Sequence, residues 1–156
     1  MALKIIVFSI LLLASCIISF QDFKSRLISV WAIILYTACC IGTVLLFGNV
    51  YSLISNSIST LLYFSFLFLV LFIFYFIKER KFTNIIDSKI GLGDLLIFIA
   101  IGLTLEMISL IVFFTISFCI SAIVGLFLAR QNKTVPLAGI LVWCHLCFII
   151  VFYSSL

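Results

Sequence analysis

Two aspartates stand where a charged group is hardest to keep. Asp22 closes the apolar segment that runs through Ile17–Phe20, and Asp94 lies in "KIGLGDLL" (Lys89 to Leu96), at the threshold of another apolar run. A carboxylate in or at the edge of hydrocarbon costs about 2.5 to 3.5 kcal/mol on insertion scales, so it faces a cavity or a partner and marks a functional position by default. Two carboxyl groups that share a site cannot both ionise easily, and such a pair holds a single proton near neutrality. The ionised member can take a proton from water while the protonated member polarises a carbonyl, which hydrolyses an amide without a covalent intermediate. Gly91 and Gly93 precede the second carboxylate. Lacking a Cβ, they are expected to let another backbone approach and to permit a local break in the helix.

The remaining acids read as solvated groups. Glu79 stands among cations, Asp87 lies in the same connection, and Glu106 falls in a connection on the other side.

The elements that position Asp22 and Asp94 follow from composition. Of 156 residues, 67% are hydrophobic and only 9% charged, against roughly 25% charged in a soluble domain. With a mean hydropathy of +1.52, the chain is an integral membrane protein. A crossing takes about 20 apolar residues per helix, which predicts spans near 3–20, 28–47, 61–77, 92–104, 107–129 and 136–153. The fourth span is short. The stretch "SLISNSIST" (Ser52 to Thr60) is too polar for a lipid-facing helix and is expected at the interface. Long unbroken apolar runs exclude the alternating pattern of a membrane β-barrel. The reading is an all-α polytopic bundle of about six transmembrane helices, forming a single domain over 1–156.

The basic residues orient it. Lys24 and Arg26 follow the first span, Lys78, Arg80, Lys81 and Lys89 follow the third, and Arg130 and Lys133 follow the fifth; only Lys4 lies on the other side. Short loops rich in Lys and Arg stay in the cytoplasm, so both termini are expected outside. Asp22 and Asp94 then sit at matched depth, at the cytoplasmic ends of the first and fourth spans. The net charge of +4 is a topology signal, and "KERK" (Lys78 to Lys81) reads as an anchor at the anionic inner leaflet. The partner implied is membrane lipid, with no nucleic-acid patch.

Three further features carry competing readings. "LASC" (Leu13 to Cys16) has the form of a lipoprotein cleavage site, but apolar sequence continues through Phe20, which favours an intact first helix over lipidation at Cys16. "CHLC" (Cys144 to Cys147) places two thiols on one helix face, yet it lacks a second ligand pair, and all six cysteines fall inside spans as small apolar residues, so no metal and no disulfide framework is expected. His145, near mid-depth in the last span, raises an ion-path alternative in which it joins Asp22 and Asp94 in a proton or cation channel or transporter.

The residues also resemble a family. "GLGD" (Gly91 to Asp94) is similar to the GxGD signature of membrane aspartyl proteases, and the size, six spans and sidedness most resemble the type IV prepilin peptidases. "DFKSRLI" (Asp22 to Ile28) has the form of that family's first motif, an aspartate, a basic stretch and an isoleucine six positions on. "VPLAG" (Val135 to Gly139) is similar to its proline-containing turn before the last span. The resemblance implies an aspartyl endopeptidase of the bacterial inner membrane that removes the leader of prepilin-like protein substrates. Asp22 and Asp94 would be catalytic, with Gly91, Gly93, Lys24, Arg26 and Pro136 in substrate-binding or supporting roles. The bifunctional members insert a zinc-binding region after the first span; here that connection runs only from Gln21 to about Leu27, so the short, peptidase-only form is expected, without cofactor, zinc or methyltransferase activity. Three positions depart from the pattern. Ser29 and Val30 stand where Pro and Asn are usual, Leu96 where Lys is usual, and Gly139 where a second Pro is usual. These departures keep a catalytically inactive assembly protein as a further alternative.

Overall fold

A computed structural model of the chain describes residues 2–79, 91–129 and 135–154. Arg80, Lys81, Asp87, Lys89, Arg130 and Lys133, which carry part of the charge argument, lie outside the described residues. The described chain is helical throughout: α1 (Ala2–Ser25), α2 (Val30–Phe47), α3 (Val50–Glu79), α4 (Leu92–Gly102), α5 (Met107–Ala129) and α6 (Leu137–Ser154). It is an all-α membrane bundle. By length and apolarity α1, α2, α3 and α5 can each cross a bilayer, whereas α4 and Leu137–Val151 of α6 are shorter.

The helices are arranged around α4. It packs on α2, α3 and α6, while α1 packs on α2 and α6 from the far side. Ile97, Ala100 and Ile101 of α4 are wholly buried. Phe98 stacks on Phe64 of α3 and meets Phe114 and Phe118 of α5 edge-on. Against α3 the backbone at Gly102 packs so closely on the Thr60 side chain that a Cβ there would collide with it. At 11 residues and 1.5 Å per residue, α4 is about 16 Å long, roughly half the hydrocarbon thickness. Its far end meets a small pocket of about 160 Å³ lined by Ser52, Asn56, Thr104, Glu106 and Ser109.

The polar stretch Ser52–Thr60, expected at the interface, is helical and begins the 30-residue α3. Short polar side chains are tolerated there because they bond inward. Ser57 and Thr60 donate to the carbonyls of Leu53 and Asn56, each at 2.7 Å. The buried Asn56 gives its Nδ2 to the carbonyl of Leu103 at 3.2 Å, satisfying an acceptor that the short α4 leaves at its C-terminus.

α1 is one unbroken helix through Cys16. It ends at Arg26, whose φ of 59° is left-handed and whose N–H donates to the carbonyl of Asp22 at 3.3 Å. This is the bond of an αL cap on a residue other than glycine, and it reverses the chain within a few residues. Ser29 then caps α2 by accepting from the N–H of Ala32, and its own N–H donates to Oε1 of Gln21 at 2.8 Å.

Candidate active site

Asp22 lies in the last turn of α1 and Asp94 in the first turn of α4. They are 72 positions apart in sequence, yet both line one pocket of about 400 Å³ together with Arg26, Ile28, Gly91, Gly93 and Val135. Asp22 is 5% exposed; Asp94 is half-buried. The two carboxylates act on each other electrostatically, and Arg26 acts on both. The structure thus brings the acids of the two motifs to one pocket.

What holds them is the start of α6. Pro136 is buried, and its carbonyl accepts the first intrahelical bond, from Ile140 at 3.2 Å. The N–H groups of the first helical turn have no intrahelical acceptor and need partners. Gly139 donates its N–H to Oδ2 of Asp22 at 2.8 Å, and the N–H of Ala138 acts electrostatically on Asp94. Adjacent residues of one turn thus face both acids, and the positive end of the helix dipole favours their negative charge. Gly139 is tightly enclosed. A Cβ there would lie 3.1 Å from the Phe23 ring and 3.3 Å from Oδ2 of Asp22, and the Gly139 carbonyl lies 3.4 Å from the Ser19 hydroxyl that donates to it.

The other expected residues are distributed unevenly. Arg26 lines the pocket. Lys24 is exposed, with its ammonium 5.5 Å from the centre of the Phe20 ring. Gly91 and Gly93 line the pocket, but a Cβ on either would make only ordinary contacts, 3.5 Å from Oδ2 of Asp94 and 3.5 Å from Cδ1 of Ile28. Among the described residues no backbone approaches them closely, and Gly91 has an ordinary extended conformation. The close approach falls at Gly139. Leu96 is exposed; two positions beyond Asp94, it projects about 200° away around the helix.

Two of the departures in sequence have a common structural role. Ser29 and Gly139 stand where proline is usual, and in both cases the N–H that proline would lack is used, on Gln21 and on Asp22. Together they tie down two consecutive residues of the last turn of α1.

His145 lies outside the pocket. Its ring is wholly buried, with Nδ1 2.6 Å from the Tyr36 hydroxyl and Nε2 2.8 Å from Oγ1 of Thr104. Thr104 donates its hydroxyl proton to the carbonyl of Ile101 at 2.7 Å, so it accepts from Nε2–H, and Nδ1 accepts from Tyr36. This assigns a neutral ring with both nitrogens satisfied. The flanking Cys144 is half-buried and Cys147 exposed. Among the described residues no three His, Cys, Asp or Glu side chains group so as to hold a metal ion.

Sequence reasoning passed over Ala138, Tyr36 and Thr104. Ala138 acts through its backbone, and the signal for it was the position of Pro136 at a buried helix start. Tyr36 was legible in principle, because a tyrosine hydroxyl inside an apolar span needs a partner.

No curated protein and no solved structure is detectably similar to the chain. Residues 6–126 match the type IV leader peptidase family. The matched segment includes Asp22 and Gly91–Asp94 and stops before the turn of α6 that grips them. Most of the chain lies within that match, and with two acidic residues from its first and fourth helices meeting in one pocket, the protein belongs to the type IV leader peptidase family.

Proposed function

We propose that the protein is an aspartyl endopeptidase that cleaves prepilin-like precursors of a type IV pilus or secretion system between a short basic leader and an apolar helix. The reaction takes place at the cytoplasmic face of the bacterial inner membrane, with both termini of the enzyme outside. The observation that carries this reading is the convergence of Asp22 and Asp94 on one pocket at the start of α6, with Asp22 held by the N–H of Gly139.

One carboxylate takes a proton from water as the water oxygen attacks the scissile carbonyl, and the other, protonated, gives its proton to the carbonyl oxygen. A tetrahedral diol forms. Its collapse, with proton transfer to the amide nitrogen, breaks the C–N bond and releases leader and mature chain. Gly139 holds Oδ2 of Asp22, leaving the other carboxyl oxygens for water and substrate. The leader peptidase acts without a methyltransferase partner activity, since only Arg26–Ser29 separate α1 from α2.

The test is coexpression with a prepilin-like substrate, following leader removal by the mobility and mass of the product. Wild type is expected to cleave, and Asp22→Ala and Asp94→Ala to leave the precursor intact. Full cleavage by either variant sinks the mechanism.

A further inference from the structure

The buried cluster around His145 joins α2, α6 and the end of α4. Tyr36 belongs to α2, His145 to α6, and Thr104 directly follows α4. All but Thr104 are wholly buried. His145 is seven positions beyond Ala138, two helical turns, and therefore lies on the same face of α6. The rest of that face, Ala138, Leu141, Val142 and Ile149, is buried as well. This face meets α4 through a polar tie at one end, where Nε2–H of His145 bonds Thr104, and at the other end the N–H of Ala138 faces Asp94 at the start of α4. The two points are about 10 Å apart along α6.

We infer that His145 is a positioning residue of the leader peptidase: by donating to Thr104 it fixes the rotation and height of α6 against α4, and so aims the N–H groups of Ala138 and Gly139 at the two aspartates. This rests on the function proposed above. The physical ground is that apolar packing alone tolerates sliding, and helix shifts of about 1 to 2 Å are an ordinary mode of rearrangement. A shift of that size breaks a 2.8 Å hydrogen bond. A buried donor and acceptor that lose each other in an apolar surround pay the full cost of desolvation, so the His145–Thr104 pair selects one register sharply. The Tyr36 bond satisfies the other ring nitrogen and holds the tautomer that makes Nε2 the donor.

The test uses the full chain in detergent or nanodiscs, with His145→Leu, Thr104→Val, His145→Gln and His145→Asn. Gln can place an amide N–H near the Nε2 position and keep the tie to Thr104. Asn can reach only the Nδ1 position, facing Tyr36. For cleavage of a prepilin-like precursor, His145→Leu and Thr104→Val are expected to lower kcat on the order of tenfold to a hundredfold, the usual consequence of a catalytic group displaced by about 1 Å, with KM changed less than about twofold. His145→Gln restores most of kcat and His145→Asn does not. Hydrogen exchange of the amides of 137–141 supplies a second readout that needs no substrate: the Leu and Val variants should lose protection there while the first half of α1 keeps it. Wild-type kcat in both of these variants, equal rescue by Asn and Gln, or unchanged exchange at 137–141 overturns the inference. If wild type cleaves nothing, the proposed function fails, and the exchange measurement alone still decides whether His145 positions α6. Thr104→Val is nearly isosteric, so it retains the fold if His145→Leu does not.

Discussion

The bundle contains two buried polar clusters, and they differ in how their hydrogen bonds end. Around His145 the chain of bonds closes on itself: Tyr36 donates to the ring, the ring donates to Thr104, and Thr104 donates to the carbonyl of Ile101. Around Asp22 and Asp94 it stays open. A backbone N–H satisfies one oxygen of Asp22, and both carboxylates face a pocket. A closed cluster has nothing left to offer a ligand and specifies structure. An open one, made of acceptors that repel each other and compete for a proton, is a place for chemistry. The contrast argues against an ion path through His145 and for hydrolysis at the dyad.

The largest effect that would sharpen this contrast is removal of an acid. Asp22→Asn and Asp94→Asn, close in shape to the originals, should each lower the rate of leader removal by about a thousandfold, within the range of general acid–base catalysis, as measured by product mass over a time course. Next is Gly139→Pro. Although it moves toward the usual family residue, it deletes the donor to Asp22 and presses on Phe23. Loss of one such charge-assisted bond is worth about 1.5 to 3 kcal/mol, so cleavage should fall by at least about tenfold. Undiminished cleavage would break the view that the N–H of Gly139 matters.

Smaller effects test the surroundings. Gly102→Ala places a methyl against Thr60, a stiff β-branched side chain, and overpacking of this kind costs about 1 to 3 kcal/mol. It should lower the thermal unfolding temperature in detergent while the enzyme that remains folded cleaves normally. The smallest effect concerns the ion path. Proteoliposomes loaded with a pH dye should show no proton flux above empty vesicles, for wild type and for His145→Ala alike. Flux that disappears with His145→Ala would reverse the assignment of the two clusters.

Much of this was legible in the chain itself. Long apolar runs announced the helices, and the two acids at their ends announced the pocket, because burying a charge in lipid demands a reason. The helical conformation of Ser52–Thr60 was not legible, since hydropathy counts a hydroxyl as polar without knowing that it bonds back to its own helix, and Asn56 found its acceptor at the end of α4. The grip on the dyad was hidden for a different reason. It comes from backbone N–H groups, which every residue but proline carries, so no side chain in "VPLAG" advertises it. The departures at Ser29 and Gly139 look in sequence like eroded motif positions. In three dimensions each supplies a donor to the same turn of α1.

The shortness of α4 has a consequence for the membrane's electrical insulation. Between the pocket at its N-terminus and the one lined by Thr104 and Glu106 at the other end lies about 16 Å of protein, against the roughly 30 Å that a bilayer's hydrocarbon provides. Phe98, Ile101, Phe113 and Leu141, all nearly or wholly buried, are the apolar side chains on which a thinned barrier of this kind relies.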